Sequence, residues 1–222
     1  KILHQHLSAP VLLNQVRQDF EKMADPRRYG QQFSLTDVLM SGLAVFSLKF
    51  PSLLKFDEQR NEARIRANLK SLFGVEQAPS DTQLRSVCDQ INPAEIRSPF
   101  IHINQQLDTH QLLEGFRYLN SFLVSIDGTG QFASSSIHCP HCGQRHHQNG
   151  QVGYYHQLLV AVLVHPDQKQ VLPLFPEAIT HQDGENKNDC ELNASKRLIQ
   201  QLRDAFPNWP IRVVEDSLFA NG

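Results

Sequence analysis

The pattern of apolar residues changes near residue 119, and this change constrains the fold more than any other feature of the 222-residue sequence. Before that point apolar residues recur at spacings of three and four, as they do along amphipathic helices. After it, β-prone runs follow one another at short intervals. We therefore predict an α/β protein with a helical region over residues 1–118 and a sheet-containing domain over residues 119–222.

The helical region contains clear helix-start signals. Ser80 and Gln83 fit a capping box, in which a hydroxyl and an amide satisfy backbone groups of the first helical turn. Asn92 followed by Pro93 indicates a second start, because proline suits the first helical position. The longest apolar run, Val38 to Leu48, is shorter than the ~20 residues that span a bilayer. It predicts a buried helix and no membrane partner.

The second domain has four β-prone runs and one helix. The runs are Ser121–Gly128, Tyr154–Val164, Gln170–Leu174 and Ile211–Glu215. The first is almost continuously apolar, which is typical of a strand buried on both faces. The third run follows the second after only a short connection, and this favours an antiparallel meander. Asn188 and Glu191 form a capping box for a helix that ends at Pro207. This order predicts a mixed sheet whose last strand runs parallel to the first.

The charge of the chain limits how it can meet nucleic acid. Its formal net charge of −2 excludes a polycation that binds DNA over its whole surface, so any DNA contact needs a local patch. Residues 1–70 hold eleven Lys and Arg against seven Asp and Glu. Four of these cations share one predicted helix: Arg60, Arg64, Arg66 and Lys70. They fit a phosphate-contacting patch, but by themselves they favour an ordinary solvated face with i,i+4 ion pairs.

The chain begins at Lys1, and no signal-peptide pattern follows, so the expected location is the cytoplasm. It stops at Gly222, soon after the last β-prone run. This favours a fragment of a longer protein.

Two aspartates lie near the ends of β-prone runs. Asp127 lies in the first run, next to its closing glycine, and Asp216 lies at the end of the fourth. If the helical crossover places these strands side by side, both carboxylates emerge at one edge of the sheet. Carboxylate ligands suit Mg²⁺ or Mn²⁺, and a pair of such ions supports phosphodiester chemistry. The alternative is structural: Asp127 begins a turn with Gly128, and Asp216 caps a following helix.

A second group combines thiols with imidazoles in an insert at about residues 134–150, here called the Cys/His insert. Cys139 and Cys142 are two residues apart, and His146 and His147 follow at close to knuckle spacing. These are the ligand types of a tetrahedral Zn²⁺. The alternative ligands are His138 and Cys190.

Two other interpretations of the cysteine pair are weaker. Cys-Pro-His-Cys is also the dithiol sequence of oxidising thioredoxin-like enzymes, in which it opens a helix. Residues 143–150 lack the apolar periodicity of a helix. A structural disulfide is disfavoured in the cytoplasm. A zinc site or an unmetallated, reduced loop is left.

Taken together, these motifs resemble the DDE transposases of bacterial insertion sequences. The segments that carry the resemblance are Ser125–Gly130 followed by the Cys/His insert, then Asp183–Glu191 and Val213–Leu218, with Pro79–Thr82 similar to the family's segment before its catalytic domain. The likeness begins near residue 30. As an ordered set, these motifs are far more specific than any one of them.

The resemblance implies a ribonuclease H-like catalytic domain, of which this chain holds the front part. Asp127 matches the family's first catalytic Asp and Asp216 the second, both as ligands of Mg²⁺ or Mn²⁺. The family's third acid, a Glu on a later helix, has no counterpart before Gly222.

The implied activity is cleavage and joining of DNA at transposon ends, with transposon-end and target DNA as partners and a homo-oligomer on the DNA. Lacking the third acid, the chain itself is expected to be inactive. The alternatives are an inactive DNA-binding or zinc-binding remnant and, more distantly, a thiol-disulfide oxidoreductase.

Overall fold

The computed structural model of the chain describes residues 7–28, 31–180, 183 and 187–216, with the side chains of 187–189 left out. The fold is mixed α/β. The chain forms two compact units, residues 1–99 and 100–222, and the boundary falls in the first turn of a helix. The last helix of the predicted helical region therefore belongs to the second unit.

The first unit is helical. Its described helices are α1 (Ala9–Glu21), α2 (Leu35–Ser47), α3 (Leu53–Gln59), α4 (Ala63–Phe73) and α5 (Asp81–Cys88), followed by a 3₁₀ turn (Pro93–Arg97). The capping box predicted at Ser80 and Gln83 is confirmed, with both of its hydrogen bonds present. Asn92 caps the 3₁₀ turn by accepting the N–H of Ala94. Across the part of the chain that the structure describes, no helix is long and apolar enough to cross a membrane.

The prediction that the four cations share one helix is wrong. Arg60 lies at the end of α3, and the chain turns before Glu62 caps α4. Arg60 is also occupied, because its guanidinium donates to Asp57 and to the backbone oxygen of Ala78, each over 2.6 Å. It fixes the fold of this unit and does not extend a continuous cationic face.

The second unit is built on one sheet. Its described elements are α6 (Ser98–Thr109), a 3₁₀ turn (Glu114–Phe116), β1 (Arg117–Tyr118), β2 (Ser121–Ser134), β3 (Gly143–His146), β4 (Val152–Val164), β5 (Leu172–Ile179), α7 (Lys187–Ala205) and β6 (Ile211–Val214). The antiparallel meander of β2, β4 and β5 is confirmed, and so is the parallel pairing of β6 with β2. The capping box predicted at Asn188 involves a side chain outside the described residues.

The sheet buries one face. Alternate residues of β2 and β4 lie in the core beneath α7: Phe122, Val124, Ile126, Leu159, Ala161 and Leu163, with Ala194, Leu198 and Leu202 from the helix. The prediction that β2 is buried on both faces is therefore wrong. Leu123 and Ser125 are half-buried and Asp127 is exposed, because the described residues cover their side of the strand only in part.

An ion network around Arg197, in the middle of α7, ties this helix to β5 and to Asp183. Arg197 donates from Nε to Glu177 over 2.8 Å and from Nη2 to the backbone oxygen of Ala178 over 3.2 Å. It also holds Asp183 through both terminal nitrogens. Burial would raise the pKa of Asp183, but the hydrogen bonds from Arg197 and Thr180 outweigh burial and leave it below its usual value. The network anchors the segment that leads into the crossover helix.

The core predicts a matched pair of stability effects on α7. Leu198 is fully buried, whereas Ile199 is 38% exposed. We expect Leu198→Ala to lower the free energy of unfolding by about 2–5 kcal/mol, because it leaves a cavity under the sheet. Ile199→Ala should cost less than about 1 kcal/mol. Urea unfolding followed by circular dichroism measures both, and equal losses would contradict this packing.

The ion network predicts a pH-dependent contribution to stability. Because folding lowers the pKa of Asp183, its carboxylate stabilises the fold fully above the unfolded-state pKa of about 4, and this stabilisation is lost as pH falls through the lower folded value. The difference in unfolding free energy between wild type and Asp183→Asn should therefore be large at neutral pH and shrink in acid. Asp204→Asn, an exposed change on the same helix, is the control. A difference that stays constant with pH would contradict the assignment.

Candidate functional site

Asp127 lies within β2, and the strand continues past it to Ser134. The alternative in which Asp127 and Gly128 form a turn is therefore wrong. The carboxylate is exposed, and its Oδ1 accepts the backbone N–H of Gly128 over 2.8 Å. This single hydrogen bond orients the group and leaves its second oxygen for another ligand.

Asp216 lies two residues beyond the end of β6. In the parallel pairing of β6 with β2, Val214 is the partner of Ser125. Asp216 itself is outside the strand and exposed. If the register continued for two more residues, Asp216 would lie level with Asp127 on the same side of the sheet. The fold therefore places β6, which leads to Asp216, beside the strand that holds Asp127, and a shared cation site requires this strand order.

The neighbouring Glu215 has a different environment. Burial raises the pKa of its carboxyl group, and the negative charge of Asp216 raises it further. Its Oε1 is buried and has no hydrogen-bond partner among the described residues. Strand alternation directs it away from the side of Asp216, so it does not supplement the aspartate pair.

Glu191 approaches the same strand from the covered face. A Cβ at Gly128 would lie 3.0 Å from its Oε1, so glycine at this position permits the close approach of the carboxylate. Glu191 is 5% exposed. Because Gly128 and Asp127 point to opposite sides of β2, Glu191 and Asp127 are separated by the sheet.

The second site joins the Cys/His insert to β4. The Sγ atoms of Cys139 and Cys142 are 3.7 Å apart, and Nε2 of His156 lies 3.3 and 3.2 Å from them. Two thiolates at ~2.3 Å from a tetrahedral Zn²⁺ are ~3.8 Å apart, which matches the observed sulfur separation. These three residues form a group that could hold a metal such as zinc.

Backbone hydrogen bonds shape the cysteine loop around the sulfurs. The N–H of Cys139 donates to Sγ of Cys142 over 3.3 Å, and the N–H of His141 donates to Sγ of Cys139 over 3.4 Å. Donors aimed at sulfur favour the thiolate form that binds metals. Burial acts in the opposite direction and raises the pKa of the Cys142 thiol. A bound cation would remove that cost.

The histidine of this group differs from the histidines that the spacing predicted. Within the described residues, the ligand atoms that lie within 4.8 Å of one another belong to Cys139, Cys142 and His156, without a fourth. The predicted ligands lie elsewhere: His146 ends β3, His147 lies against Gly153, His138 stacks on Tyr154, and Cys190 packs beside the core.

A wider sequence window would have found His156. It lies fourteen residues after Cys142, in the second β-prone run, whereas the knuckle spacing reaches only His146 and His147. The return of the Cys/His insert through β3 brings it close: Gly143, next to Cys142, pairs with Tyr155, next to His156. The signal was a histidine on a strand that had to pair with the end of the insert.

The geometry disfavours thiol redox chemistry at this pair. A strand, β3, follows Cys142 directly, so no helix dipole lowers a thiol pKa there. All four cysteines are free. Comparisons with protein-family models, with curated proteins and with solved structures found no match.

The Cys/His group predicts a specific pattern of metal loss. The reduced chain should carry about one Zn²⁺, since its ligand types and spacing suit that ion. Cys142→Ser and His156→Ala should each lower the zinc content severalfold, whereas His147→Ala should retain it. Metal analysis after gel filtration measures this. If His147→Ala lost zinc and His156→Ala kept it, the ligand would be His147, as the sequence spacing predicted, and not His156.

Proposed function

We propose that the chain is the front part of a transposase of the DDE type, an enzyme that hydrolyses a phosphodiester at a transposon end and directs the freed 3′-hydroxyl at target DNA. The observation that carries the proposal is the parallel pairing of β6 with β2. Through a helical crossover it returns the chain, just before Asp216, to the side of the strand that holds Asp127, 89 residues earlier in the sequence.

The ribonuclease H-like assignment belongs to the same proposal. It is supported by the order of three antiparallel strands, a helix and a fourth strand parallel to the first. The same order was expected from the resemblance. The motif segment Asp183–Glu191 is anchored at its first residue by Arg197, and its residues 184–186 lie outside the described part of the chain.

Asp127 and Asp216 would hold Mg²⁺ or Mn²⁺ in this enzyme. The donor set fits: both groups are exposed carboxylates, and such oxygens suit hard divalent cations. When bound, the ions activate a water and stabilise the leaving oxygen of the phosphodiester. The chain's own part is orientation, since the Gly128 N–H fixes the Asp127 carboxylate. The third acid would come from a later segment of the protein.

Zinc at Cys139, Cys142 and His156 would have a structural role. The group links the loop of the Cys/His insert to β4, so a metal there would brace the insert against the sheet. The three protein ligands leave one of four tetrahedral positions for water or another donor. The insert has few buried side chains of its own, and Cys142 is one of them. Metal ligation would supply the order that apolar packing does not.

A second candidate function is a non-enzymatic zinc-binding or DNA-binding remnant. It is favoured by the Cys/His group itself, because the three residues of this group come together without any contribution from Asp127 or Asp216. The two candidates differ in the role of Asp127. A remnant would tolerate loss of that carboxylate, whereas a transposase would not.

The proposal predicts strong dependence of cleavage on Asp127. In a longer protein that supplies the third acid, Asp127→Asn should lower metal-dependent strand cleavage by at least about a hundredfold and leave DNA binding nearly unchanged, because it removes a metal ligand and no phosphate contact. Asp167→Asn, an exposed change in the β4–β5 turn, is the control. Gel assays of transposon-end cleavage measure both.

The 222-residue chain alone should not cleave DNA with Mg²⁺ or Mn²⁺, since two carboxylates leave the ions under-ligated. Nicking by this chain that disappears in Asp127→Asn would show that a third ligand already lies within it. Full cleavage by Asp127→Asn in the longer protein would favour the remnant.

A further inference from the structure

The Cys/His group and Asp127 lie on the same side of the sheet. Val160 of β4 is the partner of Asp127, and His156 lies four residues earlier on that strand. Side chains alternate along a strand, so residues four apart share a face. At ~3.3 Å per residue, His156 is about 13 Å along the strand from Val160. One surface therefore extends from the acid pair to the candidate metal site.

A β-bulge makes this surface continuous on β2. The register between β2 and β4 shifts between Gly130 and Phe132, and Phe132 then pairs with His156. The extra residue turns Phe132 to the side of Asp127, where its ring lies 6.0 Å from the imidazole of His156. The end of β2 thus underlies the candidate metal site.

The charge of this part of the chain is unusual. Residues 128–166 contain no Asp or Glu, although the chain has 23 acidic residues in 222. The same stretch holds Arg145 and six histidines. Several of its polar side chains are exposed: His138, His141, Gln144 and His146. The Cys/His insert therefore presents hydrogen-bond donors without a carboxylate that would repel an anion.

A stacked pair of rings holds the start of the cysteine loop against β4. The imidazole of His138 lies parallel to the ring of Tyr154, with centroids 4.3 Å apart and planes at 27°. Tyr154 shares the face of His156, because the two residues are two positions apart on β4. Loop and strand are thus held together twice, by this ring pair and by the metal ligands.

From these observations we infer that the metal-braced Cys/His insert is a DNA-contact surface. It holds the duplex on the same side of the sheet as Asp127 and about 13 Å away, which is about four base pairs at 3.4 Å per pair. This inference rests on the proposed function for the identity of the partner. It adds where that partner is held and which ion shapes the contact.

The chemistry of the surface favours the DNA backbone over a protein partner. Phosphate oxygens accept hydrogen bonds from imidazole, amide and backbone N–H groups alike, and such contacts position a duplex without reading its sequence. The carboxylates of Asp127 and Asp216 repel a phosphate unless cations lie between them. The acid-free insert can contact a phosphate directly.

The test compares two double variants that each change the charge by −2. Gln144→Glu with His146→Glu alters the exposed face of the insert. Lys169→Gln with Gln170→Glu makes the same charge change at exposed positions beyond the opposite end of β4. Fluorescence anisotropy with a labelled 24-base-pair duplex at low salt measures the affinity of the intact 222-residue chain.

We expect the insert variant to bind at least about fivefold more weakly than wild type and the control to stay within about twofold, because lost phosphate contacts are local. His156→Ala should weaken binding in the same way, with its fold checked by circular dichroism. Chemical-shift changes of insert amides on addition of the duplex should map to the same face.

Equal losses in both double variants would show a net-charge effect and overturn the inference, as would unchanged binding in the insert variant or no binding by wild type. The failure of this inference can be distinguished from the failure of the proposed function. Cleavage that depends on Asp127 can persist without any contact at the insert, and binding at the insert can persist in a protein that never cleaves.

Discussion

The parallel pairing of β6 with β2 is the interaction on which the rest of the second unit depends. Parallel neighbours need a crossover, and α7 supplies it by packing Leu198 and Leu202 over the buried side of β2 and β4. The same helix carries Arg197, whose network with Glu177 and Asp183 fixes where the crossover begins. Without this covered face, Asp216 would have no defined position relative to Asp127.

The sequence predicted most of the helices and strands correctly, but it was less reliable for the burial and tertiary contacts of their residues. The capping box at Ser80, the meander and the parallel last strand follow from local signals that the tertiary structure reinforces. The burial of β2 on both faces was wrong, because an apolar run reports hydrophobicity and not whether a second layer covers it. The helix predicted through Arg60 was wrong, because one helix ends at Gln59 and the next begins after Glu62. The hydrogen bond from Arg60 to the distant Ala78 is a contact that periodicity cannot show.

The candidate sites show the same limit. The parallel pairing of β6 with β2 was predictable from the helical crossover, and the role of Asp127 and Asp216 as a pair stays a prediction. Cys139 and Cys142 were predictable from their spacing. His156 was not, because its proximity to the thiols depends on how β3 folds back against β4. A ligand set drawn from one loop and one strand becomes visible only after the strands are paired.

The division of β4 between two neighbours has a consequence for how this architecture can vary. β3 pairs only with residues before His156, and β5 pairs only with residues from Gln157 onward. The two segments of β4 on this side are therefore separate: the segment that pairs with the insert shares no backbone pairing with the segment that pairs with β5. An insert of another length or composition could be exchanged there while the pairing of β4 with β2 and β5 stays unaltered.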